Sequence, residues 1–313
     1  MRIGILEPLD FSNDAIKTLK SLGEVMLYKG KNINRFVENI NVLFVRLNYY
    51  VGEDLLKHSK NLKYICTPTT GLNHIDLQYT HKHNISVISL KGEVEFLSDI
   101  RATSEHTFGL ILSLLRNYKQ AFISQKNHFD RDLFKGSEIY NNTIGIVGYG
   151  RIGKLLAKHI KGFDGIVFYY DNDDKVCPSS GVKRLNNIND LIEKCNIICL
   201  CASYSEANEK LINRDYIDKL KGKFFINTSR GELVDEDYLI DRIKDGFFKG
   251  VALDVIMNES KINNNLDSLL SIDKKLNFIL TPHIAGATHT SMKRTEEFIV
   301  EKLIDKHIES KLI

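Results

Sequence analysis

The 313-residue chain has no tryptophan and no apolar run near the roughly 18 residues that a membrane span needs. Phe108 to Leu112, the longest apolar stretch beside a helical segment, falls far short, so no membrane partner is expected. The chain also lacks an excess of either charge: 43 basic residues are interleaved with 40 acidic ones, for a net +3. That balance excludes the basic patch of a nucleic-acid binder. The cysteines (Cys66, Cys177, Cys195, Cys199 and Cys201) are odd in number and form no disulfide-like framework. Met1-Arg2-Ile3-Gly4-Ile5 reads directly as a strand, with no signal peptide, and the simplest setting is a reducing cytoplasm. No internal repeat occurs. The length predicts about two domains, each able to bury its own core.

The most informative stretch is Ile144-Gly145-Ile146-Val147-Gly148-Tyr149-Gly150-Arg151-Ile152-Gly153. An apolar run meets glycines in G-x-G-x-x-G spacing, and Lys154–Ile160 continues as an amphipathic helix. In a strand–turn–helix, Gly148 makes the tight turn, Gly150 lets backbone approach a pyrophosphate, and Gly153 lets helix and strand pack closely. The helix N-terminus then offers unpaired N–H groups and partial positive charge to that pyrophosphate. A second strand, Gly165–Tyr170, ends at Asp171, at about the interval where a ribose 2′-OH finds its acceptor. Strand, glycines, helix, strand and acid in this order predict a dinucleotide site.

The rest of the chain alternates strand-like and helix-like segments. Strands are expected at Arg2–Leu6, Val25–Tyr28, Val42–Val45, Tyr64–Cys66 and Ser86–Ser89 in the first part. Further strands are expected at Ile197–Cys201, Phe224–Asn227, Gly250–Val255 and Phe278–Thr281. Such βα alternation implies parallel sheets covered on both faces. The polar loop Cys66–Asn73 follows a strand and reads either as a plain turn or as a ligand loop. A long apolar helix is expected over Ala102–Arg116. His106 and Thr107 near its start could line a cleft or serve structure alone.

Arg230, Glu259 and His283 follow three successive strands of the glycine-loop part. Each alone has a structural explanation, as an ion-pair partner, a solvated acid or a loop residue. Together, at strand ends facing a cofactor crevice, they predict catalysis. His74, His81 and His83 are expected to face solvent rather than bind metal, and no metal site is predicted. Cys199 and Cys201 read as buried small hydrophobes. No tyrosine is followed four residues later by lysine, which disfavours short-chain dehydrogenase chemistry.

These motifs, in this order and over nearly the whole chain, resemble the D-isomer-specific 2-hydroxyacid dehydrogenase family. The resemblance rests on Gly148–Gly153, Asn227-Thr228-Ser229-Arg230-Gly231, Ala252-Leu253-Asp254-Val255 with Glu259, and Thr281-Pro282-His283-Ile284-Ala285-Gly286. Upstream, Glu105-His106-Thr107 and Thr70-Gly71-Leu72-Asn73-His74-Ile75-Asp76 also match. It implies an NAD-dependent α/β oxidoreductase of two Rossmann-like doubly wound domains with the active site in the cleft between them. Residues 1–98 with 288–313 would bind substrate, and residues 99–287 would bind NAD.

Further roles follow from the same resemblance. Arg230 would hold the carboxylate of a 2-keto acid, His283 would act as general acid and base, and Glu259 would tune the imidazole. Thr70, Gly71 and Arg46 would contact substrate. For the cofactor, Tyr149, Arg151 and Ile152 join the three glycines at the pyrophosphate. Asp171 would take the ribose, and Cys201 and Ala202 the adenine side. Thr107, Thr228 and Asp254 would lie towards nicotinamide. Asp171-Asn172-Asp173-Asp174 is acidic and would repel the 2′-phosphate of NADP, which selects NAD. A homodimer acting on a small 2-hydroxy acid is implied. The alternative is an NAD(H)-sensing regulator of the same fold with little turnover.

Three positions depart from the family pattern. Ser260 stands where proline is common, Lys91–Arg101 is longer and more charged than usual, and Thr67 replaces a second arginine of phosphoglycerate-oxidising members.

Overall fold

The computed structural model describes residues 1–124, 130–259 and 264–312; Ser260 lies outside them. The chain divides into two compact units, residues 1–100 with 287–313 and residues 101–286. In the first, β1 (Arg2–Ile5), β2 (Glu24–Leu27), β3 (Val42–Phe44), β4 (Tyr64–Cys66) and β5 (Ser86–Ile88) form one parallel sheet in the order β2-β1-β3-β4-β5. This is the flavodoxin-like variant of the doubly wound arrangement.

Alternation along the strands sends side chains to both faces. Ile3, Ile5 and Phe44 meet Ala15 and Leu19 of α1 (Asn13–Leu22) and Ile299, Val300 and Leu303 of the C-terminal helix His289–Leu312. Leu43, Val45 and Ile65 face the other way, onto Val37 and Leu55. Ser12 caps α1 by accepting the Ala15 N–H at 3.3 Å. The charged Lys91–Arg101 stretch holds a short helix, Val94–Ser98, tied to the C-terminal helix by a Lys302–Glu93 ion pair and by Phe96 stacked on Phe298 at 3.9 Å.

The second unit carries β6 (Thr143–Val147), β7 (Ile166–Tyr170), β8 (Val182–Arg184), β9 (Ile197–Leu200), β10 (Phe224–Asn227), β11 (Gly250–Leu253) and β12 (Phe278–Leu280). They form one parallel sheet in the order β12-β11-β10-β9-β6-β7-β8. The order reverses between β6 and β9, and ligands of such sheets bind outside the carboxyl ends of the strands at this point. Central strand β9 is buried on both faces, which is why its sequence is a continuous apolar run. The edge strand β8 was not legible in the sequence. It is three residues long and two of them are basic, so it shows neither alternation nor an apolar run.

One face of this sheet takes α2 (Ala102–Leu115) and α3 (Arg151–Gly162), through Leu110, Ile111, Leu156 and Ile160 against Ile144, Ile146 and Tyr169. The other takes the helix Ile188–Lys194 and α4 (Glu236–Lys244), through Leu191, Ile192, Leu239 and Ile243.

None of the described helices is long and apolar enough to cross a membrane. Among the described residues no group of three or more His, Cys, Asp or Glu is arranged to hold a metal ion. His81 and His83 are exposed as expected, but His74 is not. It is buried, with Nε2 3.3 Å from the Thr67 hydroxyl.

Candidate active site

The glycine loop leaves β6 at Gly148, where φ is +92° and a Cβ would lie 2.5 Å from the backbone nitrogen of Ala202. Both the left-handed backbone and the contact require glycine there. At Gly153 a Cβ would meet the Gly148 carbonyl oxygen at 2.3 Å, so its absence lets α3 start hard against the turn. Gly150 differs: a Cβ there would meet no protein atom within 4 Å. Packing of this chain therefore does not require glycine at that position. Gly150 is also the N-cap of α3, which has no side-chain cap and no acid in its first turn. A helix start of this kind carries partial positive charge, which suits a pyrophosphate. Arg151 and Ile152 begin that helix, and partial burial lowers the pKa of Arg151.

Asp171 follows β7. Its Oδ2 accepts the Tyr149 N–H at 2.6 Å and its Oδ1 accepts the Asp173 N–H at 2.9 Å. A carboxylate has about four acceptor positions, so the two bonds that shape the loop leave capacity for ribose hydroxyls. Tyr149 reaches the site through its backbone alone. Its ring is fully buried and stacks on Tyr169 at 3.9 Å. Cys201 and Ala202 flank the same crevice beyond β9. The Cys201 N–H donates to Val147 O; the residue is half-buried rather than wholly buried as expected, and desolvation pushes its thiol up to about 12. Cys199 is wholly buried. The cradle, the uncapped helix and the acid fit a dinucleotide.

The candidate catalytic groups follow the carboxyl ends of β10, β11 and β12. Beyond β10, Asn227 takes up both ends of the turn: its Oδ1 accepts the Ser229 N–H at 3.0 Å, and its Nδ2 donates to Arg230 O at 2.9 Å. The Arg230 guanidinium donates to Ser229 O at 2.6 Å and forms no ion pair among the described residues. Desolvation lowers its pKa, opposed by the charges of Glu259 and Glu232. Arginine nevertheless stays charged. Beyond β12, His283 holds a left-handed backbone, φ +52°, and its N–H is shared between Asp254 O at 2.8 Å and Thr281 O at 3.0 Å. The conformation is uncommon for a residue with a Cβ and is fixed by these bonds. It brings His283 Nδ1 to 2.5 Å from Glu259 Oε2, while Glu259 Oε1 accepts the Ile256 N–H at 3.2 Å. A carboxylate only accepts, so the proton between them belongs to Nδ1, and Nε2 is the nitrogen left for chemistry.

Asp254 is occupied by protein. Oδ1 accepts from the Thr281 hydroxyl at 2.5 Å and the Ile284 N–H at 2.9 Å, and Oδ2 accepts the Ala285 N–H at 2.8 Å. His106 Nε2 lies 3.4 Å from Oδ1, an interaction the sequence had not assigned. Thr107 donates to Thr103 O, so the 2.7 Å contact between Thr107 and Thr228 is a hydrogen bond from Thr228.

The remaining candidates belong to the first unit. The Arg46 guanidinium is committed to Glu296 through Nε and Nη2, and to Leu9 O through Nη1 at 2.9 Å. Glu296 is almost fully buried and also accepts the Ser12 N–H at 2.7 Å. Thr70 is exposed and Gly71 half-exposed, with Gly71 O accepting from the Thr69 hydroxyl at 2.8 Å.

The family model for the D-isomer specific 2-hydroxyacid dehydrogenase NAD binding domain matches residues 108–285. The chain is 31% identical over 310 residues to D-3-phosphoglycerate dehydrogenase of Methanocaldococcus jannaschii, covering 97% of this chain and 57% of that one. It therefore spans about half the length of such relatives. It is 30% identical to glyoxylate reductase of Thermofilum pendens, covering 92% of this chain and 87% of the relative. Among solved structures, D-lactate dehydrogenase of Aquifex aeolicus, complexed with NAD and lactic acid, superposes with a TM-score of 0.84 at 27% identity, covering 100% and 96% of the two chains. The chain belongs to the D-isomer-specific 2-hydroxyacid dehydrogenase family, and its second unit is an NAD-binding domain.

Proposed function

We propose that the protein interconverts a D-2-hydroxy acid and its 2-keto acid, with His283 as general acid and base, Glu259 orienting it and Arg230 holding the substrate carboxylate. The observation that carries this reading is the Glu259–His283 pair at 2.5 Å, beyond the strand ends that also present the Arg230 guanidinium, which has no ion pair among the described residues. NAD, when bound, accepts or supplies the hydride. Arg230 grips both carboxylate oxygens with its planar fork and fixes the neighbouring carbonyl. As that carbonyl becomes an alkoxide, His283 Nε2 gives it a proton; in oxidation the neutral Nε2 removes the hydroxyl proton. Glu259 stabilises the cationic form of the ring and holds its tautomer. Thr70 and Gly71 are assigned to the carboxylate by family resemblance.

The substrate is a small acid without a phosphate, because the Arg46 guanidinium is committed to Glu296 and Thr67 takes the place of a second arginine. We also assign a homodimer and a cytoplasmic setting. Exposed Tyr118, Phe122 and Ile123 beside the apolar α2 support the first, and the free cysteines support the second.

The test is NADH oxidation with a panel of 2-keto acids. Turnover is expected in wild type and should fall by about 10²- to 10⁴-fold in His283→Ala and Arg230→Ala. Tight NADH binding with no turnover across the panel would overturn the assignment in favour of a sensor.

A further inference from the structure

Glu236 is a buried carboxylate that the proposed chemistry does not use. It is 3% exposed and opens α4, six residues beyond Arg230. Its Oε2 accepts the Met257 N–H at 2.7 Å and its Oε1 accepts Nδ2 of Asn265 at 2.9 Å. Burial raises the pKa of this carboxyl, with the Asn265 and Met257 donors opposing the rise. The position near a helix N-terminus also favours its charge.

The segment it grips carries Glu259. The Ile256 N–H is taken by Glu259 itself at 3.2 Å, the next N–H by Glu236, and Asn258 then turns left-handed at φ +57°. Two successive backbone donors are thus held by two carboxylates, one of which is the partner of His283. The arginine loop lies directly against the same segment. A Cβ on Gly231 would sit 2.1 Å from the Ile256 carbonyl carbon and 2.2 Å from the Met257 nitrogen. Glu236 therefore closes a frame in which the backbone after Arg230 and the turn before Glu259 touch, and neither can shift independently.

We propose that Glu236 is a positioning residue that, by holding the Met257 N–H, sets the turn from which Glu259 aligns the His283 imidazole. This rests on the proton-transfer role assigned above, and it needs a readout that does not depend on turnover. One is the far-downfield proton resonance of the short His283 Nδ1–H to Glu259 bond, assigned by its loss in Glu259→Gln and His283→Gln.

In full-length Glu236→Ala that resonance should disappear or move, and in Glu236→Gln, which keeps an acceptor for Met257, it should persist. The turnover number should fall about 10- to 100-fold in Glu236→Ala, with KM and NADH affinity within about twofold of wild type. In the Glu259→Gln background the same substitution should cost less than about twofold, because two groups acting through one contact are not additive. Should Glu236→Ala fail to fold, Glu236→Asp, too short to reach both donors, carries the same expectations as Glu236→Ala. An unmoved resonance in the folded variant, or a cost that multiplies fully with Glu259→Gln, overturns the proposal. Absence of turnover in wild type would refute the dehydrogenase reading and still leave the resonance to decide the role of Glu236.

Discussion

Replacing Asp254 with asparagine tests the claim that one buried carboxylate builds the turn that presents His283. The residue is 1% exposed, and its two oxygens receive the Thr281 hydroxyl and the N–H groups of Ile284 and Ala285. Asparagine offers one oxygen and one NH2. Keeping the oxygen at Oδ1, where Thr281 and Ile284 converge, turns Nδ2 onto the Ala285 N–H, donor against donor. A buried N–H left without an acceptor costs about 1–3 kcal/mol, and loss of charge assistance from the other bonds adds roughly 1 kcal/mol. The turn should therefore open about 2–4 kcal/mol more easily, which corresponds to about 30- to 1000-fold less protection of the Ile284 and Ala285 amides against hydrogen exchange.

The pH dependence supplies a second constraint. Desolvation pushes the Asp254 pKa up, but hydrogen bonds from His106, Thr281, Ala285 and Ile284 together outweigh it, and the carboxyl stays below its ordinary value. A depressed carboxyl contributes its stability above the unfolded-state pKa of about 3.9 and loses it as pH falls through the lower folded value. The protection gap between wild type and Asp254→Asn should therefore be full at pH 7 and shrink under acid. A gap below about 0.5 kcal/mol at pH 7, or one that widens as pH falls, refutes the reasoning.

Two further outcomes follow from the geometry. Gly148→Ala, forced into φ +92° with its Cβ 2.5 Å from Ala202, should destabilise the second unit, whereas Gly150→Ala should leave the melting temperature unchanged and weaken NADH binding by about tenfold or more, as titrated by NADH fluorescence. Arg46→Ala leaves buried Glu296 without its cation and should cost about 3–5 kcal/mol of first-unit stability by urea unfolding, while the ratio of activities on hydroxypyruvate and its phosphate ester stays unchanged.

Parts of this molecule with a local signature were legible in the sequence. Buried parallel strands announce themselves as apolar runs, and Gly148 and Gly153 of the β6–α3 turn stand where close packing leaves no room for a Cβ. Arg230, Glu259 and His283 were legible as candidates because each follows such a strand. The edge strand β8 was not, since it is three residues long and only Val182 of them enters the core, too little to show a pattern. Nor did the loop around His74 show that its ring turns inward beneath Thr67. Arg46 shows a different limit. The residue type matched a substrate-contacting position of the family, but what a guanidinium does depends on its neighbours, and Glu296 lies 250 residues away in the chain.

The same distance effect separates the groups proposed to do chemistry from those proposed to aim them. The side chains proposed to react are few and follow strand ends, so local pattern finds them. Their aim is set by bonds across intervals with no periodicity: Glu236 to Met257, Asp254 to Ala285, and His106 to Asp254. A strained backbone at His283 can persist only where several such bonds over-determine it, and the Asp254 carbonyl and carboxylate together supply three of them. The backbone that carries His283 is therefore held by bonds from the strand ends of one sheet and from the helix beside it.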